Sequence, residues 1–461
     1  MAAGHLAALM RTSCPAIRRV LLGSPAASKN GNPRRFAPRR RRIEFHRKKA
    51  NFARAMSSVF ASTIGSRTLG ITYPLLALTI GASPMQVGWV TFALTVPGLL
   101  FYMLAGVLAD RIDPRSIMMF TETVRGFTIL TICLAILFGQ VTIAHIVLAA
   151  LLEGGMLIAY TLAETALLAK FIPLESTTRG LALSETGIHF AVLAGRPLGG
   201  VLFQCGALVA FAVNAVLFLF SGGILSAIIE RRKARRPRLS SAAKAWQGVR
   251  RVRIKPIIEE ISEGFHELRR HRFLRHAIAA TTSTNLAINT IIVIFLTGSA
   301  GLSPILVGLV LAMGGIGGLI GSNLTRLAAV ARFIRPSLKV LAIQMWVWVF
   351  AVGITTLAEP VYYGLATLVT GFTGSLINVS IRAYELRNVE RAKLARVVSV
   401  HRLASHGAVC LAAPVGGWLA TVTNGSHEGP MLVFMFTLLC AFACSFVMPR
   451  WRRWRGLLNS S

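Results

Sequence analysis

The residues of this 461-residue chain that most need a chemical explanation are the few charges interrupting long apolar runs: Arg67, Glu122, Arg125, Glu153 and Glu164. A charged side chain at the centre of a hydrocarbon layer costs about 2.5–3.5 kcal/mol unless it is paired or wet. Such residues therefore point to ion pairing, proton carriage or substrate anchoring. Glu153, Tyr160 and Glu164 share one helical face at offsets of seven and eleven residues. Glu122 and Arg125 stand at i and i+3, close enough to satisfy each other. Asn285 with Asn289, and Asn378 with Arg382, are i, i+4 pairs able to bind a polar solute or bridge helices.

Other chemistries are absent. The glycine runs lack the Lys-Ser/Thr of a phosphate-binding loop, so ATP-driven work by this chain alone is excluded. Its six cysteines show no CxxC and no pairing with His at metal spacing, so no metal and no cofactor is implied. A polytopic membrane enzyme, the rival from another class, needs clustered His, Asp or Glu at one interface. Asp110 and Asp113 are the only aspartates.

The elements that must position these residues follow from hydropathy. The chain is 54% apolar and only 15% charged, and its mean hydropathy is +0.62. From Ser57 onward, twelve apolar stretches are each long enough to cross about 30 Å of hydrocarbon. They lie near 57–80, 86–109, 116–138, 142–168, 181–203 and 207–229, then 274–297, 304–325, 338–358, 361–382, 397–420 and 430–448. Backbone groups in lipid must bond within their own segment, so the stretches are helices. Alternate loops divide by charge. Loops 81–85, 139–141, 204–206, 298–303, 359–360 and 421–429 hold no Lys or Arg, whereas the other set and both termini are basic. Both termini are thus expected in the cytoplasm.

The formal charge of +33 records this asymmetry, and nucleic acid is not an implied partner. Fourteen of the 50 Lys and Arg fall in residues 1–54, read as a disordered basic tail or an over-extended start. The expected domains are 55–229, a first six-helix bundle; 230–273, a basic linker with an amphipathic second part; and 274–449, a second bundle. Residues 450–461 form a basic tail. An internal repeat supports the division. Gly81-Ala-Ser-Pro-Met-Gln-Val-Gly88 matches Gly301-Leu-Ser-Pro-Ile-Leu-Val-Gly308, and Arg196-Pro-Leu-Gly-Gly200 matches Ala413-Pro-Val-Gly-Gly417. The fold class is all-α integral membrane, with twelve helices in two parallel-repeat bundles.

Gly106-Val-Leu-Ala-Asp110-Arg111-Ile-Asp113-Pro-Arg115 resembles the loop signature of the major facilitator superfamily. The resemblance spans residues 57–449. The Gly-Ala-Ser-Pro turn, Glu263-Gly-Phe-His-Glu-Leu-Arg-Arg-His-Arg272 and Gly195-Arg-Pro-Leu-Gly-Gly200 are similar to its drug (macrolide-type) and enterobactin-type siderophore exporters. The resemblance implies that Asp110, Arg111 and Arg115 serve an inner gate, as would a Glu185–Arg402 pair at the inner ends of helices 5 and 11. It places Arg67 and Glu153 across a cavity, with Glu153 as proton carrier and Tyr160 and Glu164 extending the polar stripe. Asn285, Asn289 and Asn378 would line the second half's cavity, and Gly195, Arg196, Pro197, Gly199 and Gly200 would form the exporter packing motif. Arg196 departs from that motif, which usually has Pro there. An acid often present in helix 1 of related exporters is also absent. These departures keep an importer or symporter open. The expectation is a monomeric proton antiporter exporting an amphiphilic small molecule across a plasma membrane, the bacterial inner membrane.

Overall fold

The structure is a computed structural model describing residues 37–108, 113–171, 177–228, 254–299, 301–325, 336–424 and 427–447. Among the described residues there are helices and no strands. In chain order they are α1 (Ala37–Thr79), α2 (Pro84–Leu108), α3 (Pro114–Leu137), α4 (Ile143–Phe171), α5 (Thr177–Gln204) and α6 (Ala207–Ser226). After α7 (Ile254–Arg270) come α8 (Arg272–Thr297), α9 (Pro304–Leu324), α10 (Leu338–Gly353, extended by a 3-10 turn), α11 (Pro360–Asn388), α12 (Arg391–Val422) and α13 (Glu428–Val447). A helix stands at each of the twelve apolar stretches. Among the described residues nine helices are long and apolar enough to cross a membrane, α1, α2 and α5 being the other three of that set. Large apolar side chains face outward, as Phe120, Phe127 and Leu134 do along one face of α3.

The repeated Gly-x-Ser-Pro sequence starts helices. Gly81 and Gly301 take φ of 78° and 96°, a left-handed turn that favours glycine. The serine caps the next helix: Ser303 Oγ accepts from Leu306 N at 3.3 Å, while Ser83 and Gln86 exchange bonds in a capping box. Proline follows at the first helical position, where a missing N–H costs nothing.

α1 begins at Ala37, about twenty residues before the apolar stretch. Residues 39–54 hold helix formers (Arg, Lys, Ala, Glu) with neither Gly nor Pro, so the helix runs on through sequence expected to be a disordered tail. Residues 1–36 lie outside the described residues.

Packing repeats between the halves. α2 lies along α4 and α3 on α4 and α6; equivalently α9 lies along α11 and α10 on α11 and α13. Across the repeats, α5 packs along α9 and α12 along α2. The Gly-Gly pairs fix these contacts. A Cβ on Gly199 would stand 3.0 Å from Thr68 O in α1, and one on Gly416 would stand 2.9 Å from Thr290 O in α8. The next glycine of each pair turns to the other repeat: a Cβ on Gly200 would collide with Pro304 O, and one on Gly417 would stand 2.7 Å from Pro84 O. Thr68 donates to Gly195 O at 3.1 Å and Thr290 to Ala412 O at 3.4 Å, the same bond in both repeats. Each pair therefore ties three helices at the end of the molecule whose loops lack Lys and Arg. The largest buried apolar cluster lies there too, joining Leu69, Tyr73 and Phe211 to Ile291, Val307 and Val433.

α7 is the amphipathic segment of the linker and packs on α12. Gly264 permits the approach, since a Cβ there would be 2.7 Å from Arg396 O. Glu263 pairs with Arg396, and Glu267 with Lys393 at 3.2 Å. Partial desolvation pushes the Glu267 carboxyl up. The hydrogen bond and charge of Lys393, with Arg270 and His271, outweigh it and hold the group below its ordinary value.

Candidate functional site

The centre of the first repeat is a buried ion cluster. Arg125 and Glu122 sit one turn apart on α3, and Glu153 faces them from α4; their side chains are 0%, 0% and 2% exposed. Arg125 Nη1 donates to Glu122 Oε1 at 2.8 Å. Its Nε lies 3.0 Å from both oxygens of Glu153, and Nη2 lies 2.6 Å from Oε1. α1 supplies hydroxyl acceptors: Nη1 donates to Ser62 Oγ at 2.8 Å and Nη2 to Ser66 Oγ. Ser62 in turn donates to Glu122 Oε1 at 2.8 Å. The Phe218 ring of α6 covers the guanidinium at 3.8 Å, in cation–π geometry. Among the described residues Glu122 Oε2 is buried with no hydrogen-bond partner. Two carboxylates thus share one cation.

A hydroxyl chain continues from the cluster. One turn before Ser62, Ser58 bonds Tyr160 at 3.2 Å and Ser221 of α6 at 2.8 Å. Glu153, Tyr160 and Glu164 are all buried on one face of α4, as their spacing implied. That face meets α3 through Arg125 and α1 through Ser58. The partner of Glu153 differs from the expected one. Glu153 is held by Arg125, and among the described residues no ion pair joins it to Arg67. Arg67 projects where α1 meets α5, its Cβ 2.6 Å from where a Cβ on Gly195 would stand.

A second feature is a cavity of about 380 Å³ in the other repeat. α8 contributes Thr281, Thr284 and Asn285; α11 contributes Thr367, Thr370 and Asn378; Trp348 of α10 and Arg196 of α5 complete it. Gly374 opens it further, because nothing lies within 4 Å of where its Cβ would stand. Asn285 and Asn378 line this cavity. Asn289 does not: one turn on, its amide donates to Asn285 O at 2.8 Å in its own helix.

A family model described as the Major Facilitator Superfamily matches residues 55–413. The chain belongs to the Major Facilitator Superfamily. Uncharacterized MFS-type transporter y4rN of Sinorhizobium fredii (strain NBRC 101917 / NGR234) is 23% identical over 401 residues, covering 84% of this chain and 92% of that relative. YkuC of Bacillus subtilis (strain 168), another uncharacterized MFS-type transporter, is 20% identical over 233 residues, or 50% and 52% of the two chains. Among solved structures, nucleoside transporter NupG has a TM-score of 0.62 at 13% identity, covering 87% of this chain and 99% of its own. A POT family transporter in complex with 5-aminolevulinic acid scores 0.62 at 11%, covering 87% and 96%. These likenesses establish the fold. As a Major Facilitator Superfamily member the chain is a multi-pass membrane transporter and not an enzyme.

The superfamily's loop signature falls largely between described elements: Asp110 and Arg111 lie outside the described residues. Arg115 is described, and its guanidinium caps α6, donating to Leu225 O at 2.8 Å and Ser226 O at 2.7 Å. Basic side chains at a helix C-terminus satisfy its last carbonyls and its dipole. Arg54 adds a third such bond, to Ala227 O at 2.9 Å. Arg115 therefore braces its own repeat. Arg402 is exposed, and the side chain of Glu185 lies outside the described residues. α5 and α12 each pack along a helix of the opposite repeat, α9 and α2. In the Gly195–Gly200 motif, Pro197 sits inside continuous α5, and Arg196 donates across the repeats to Leu311 O of α9 at 2.6 Å.

The sequence reading missed Arg125 as the partner of Glu153. The available signal was depth: each residue stands near the middle of its helix, so the two reach the same level from opposite ends.

Proposed function

We propose that this chain is a proton-coupled secondary transporter that exports an amphiphilic small molecule by alternating access. In this reading it has twelve membrane spans and cytoplasmic termini, sits in the plasma membrane, and rocks residues 57–229 against 274–449. The observation that carries the coupling is the Glu122–Arg125–Glu153 cluster. Charge counting makes it a proton site. With both carboxylates ionised the cluster is a net anion where an uncompensated charge costs about 2.5–3.5 kcal/mol, and one bound proton makes it neutral. The bare Glu122 Oε2 marks where the excess negative charge is least compensated. The hydroxyls of Ser58, Tyr160 and Ser221 offer a relay from the cluster toward the basic end of the bundle. Glu153 keeps the coupling role it was given from sequence, joined by Glu122, while Arg67 leaves the proton site for the junction of α1 with α5. The exporter branch is supported by the Gly195–Gly200 motif, whose last glycine, Gly200, contacts the opposite repeat.

The test compares cells lacking and overexpressing the protein, profiling small molecules in cells and medium with and without a protonophore. Export coupled to protons predicts that overexpression moves a compound into the medium, and that the protonophore or Glu153→Gln stops it. Accumulation inside the cells would establish the importer instead.

A further inference from the structure

The cavity of the second repeat has a polar lining that the coupling cluster does not explain. Among its lining residues Arg196 is the only charged one, and no Asp or Glu is present. Among the described residues no carboxylate lies within ion-pair distance of Arg196, and the charge that acts on it is a second cation, Arg67. A guanidinium carries five N–H donors, of which Leu311 O takes one. The amides of Asn285 and Asn378 make no side-chain hydrogen bond to another described residue. The threonines differ. Thr281, Thr284, Thr367 and Thr370 all donate their hydroxyl protons to carbonyls of their own helices, so each offers the cavity an acceptor oxygen. Donors therefore stand at Arg196 and the two asparagines, acceptors at the threonines, and Ile288, Ile292 and Trp348 supply apolar wall.

We propose that this cavity binds an organic anion, its negative end held by Arg196 with Asn285 and Asn378, and its own hydroxyl or amine donors facing the threonine oxygens. The inference rests on the transporter reading above, whose substrate class it names, but not on its proton coupling. An uncompensated guanidinium raises the local concentration of anions and repels cations. Arg196 belongs to the first repeat and the asparagines to the second, so an anion held by both spans the surfaces that must separate in alternating access. Export of an anion also runs with a membrane potential that is negative inside, so the potential would add to the proton gradient.

The test needs no knowledge of the natural substrate. With the six native cysteines replaced by serine, Gly374→Cys places a thiol in the open part of the cavity, and Ser375→Cys provides a second position. The thiol is reacted at low ionic strength with an anionic reagent, sulfonatoethyl methanethiosulfonate, and with its cationic trimethylammonium counterpart. Relative to free cysteine, the rate ratio should favour the anion by on the order of tenfold. Arg196→Gln should abolish the preference, and Arg196→Lys, which keeps the charge, should retain it. Glu153→Gln should leave it intact, so that failed coupling and failed anion selectivity are read separately. A ratio equal to that of free cysteine, a ratio unchanged by Arg196→Gln, or no reaction at either thiol would overturn the proposal.

Discussion

Arg125→Met tests the cluster at its hinge. Methionine keeps roughly the length of the side chain and removes the cation, leaving Glu122 and Glu153 buried together without a counter-charge. Removing one partner of a buried ion pair costs about 3–5 kcal/mol. Here the same change also strips bonds from Ser62 and Ser66 at about 1 kcal/mol each and a desolvated contact with Phe218 of about 2 kcal/mol. These terms overlap, so a total near 5 kcal/mol follows. The triple variant Arg125→Met, Glu122→Gln, Glu153→Gln has no buried charge and should recover most of the loss, because apolar replacements of buried ionic triads are often neutral or better. Charge counting also orders the simpler variants. Glu153→Gln or Glu122→Gln alone leaves one carboxylate on one cation and costs little, whereas the double glutamine variant strands Arg125 and costs about as much as Arg125→Met. Equilibrium unfolding of the purified protein in mixed micelles measures the series. A loss below about 1 kcal/mol for Arg125→Met, or a triple variant less stable than the single one, would refute the charge accounting.

Three further outcomes follow from the same geometry. Glu122→Gln and Glu153→Gln should each make substrate distribution insensitive to a protonophore while the protein remains folded, as read by metabolite profiling. Gly88→Ala would push a Cβ to 2.7 Å from Ala413 O and should cost about 1–3 kcal/mol; Gly374→Ala faces open space and should be neutral or stabilising by up to about 1 kcal/mol, both in the same unfolding assay. The docking of α7 on α12 should depend on pH at both extremes, as read by hydrogen exchange over residues 262–270. The Glu267 carboxyl is depressed in the folded state, so its contribution is full above the ordinary value of 4.5 and is lost as pH falls through the lower folded value. Hydrogen bonds that the Lys393 ammonium donates to Glu267 and Glu390 raise it, so its contribution is full below 10.5 and is lost only at more alkaline pH.

Much of the architecture was legible because lipid leaves the backbone few choices. Apolar length gave the helices, loop charge divided the loops, and the Gly-x-Ser-Pro cassettes told where α2 and α9 start. The Gly-Gly pairs were visible as packing residues, but not that the first glycine serves its own repeat and the second the other. That distinction depends on a one-residue rotation around α5 and α12, which only the assembled bundle reveals. Periodicity also misled at the coupling site. It found Glu122 beside Arg125 within one helix and stopped there, since a guanidinium can serve two helices at once and local spacing sees one. Arg67 was assigned to Glu153 by the family resemblance; rotation about α1 instead carries Ser62 and Ser66 inward and Arg67 toward α5. Asn289 was drawn toward the cavity by its spacing from Asn285, although its amide bonds back to its own helix.

In the proposed mechanism two carboxylates on one buried arginine hold an exchangeable proton. Infrared titration of the reconstituted protein reads this directly through the carbonyl stretch of a protonated carboxyl group. One such group is expected at neutral pH in the wild type, shared within the cluster and absent from both Glu122→Gln and Glu153→Gln. A wild-type spectrum without a protonated carboxyl at neutral pH, or one unchanged in both variants, would contradict it.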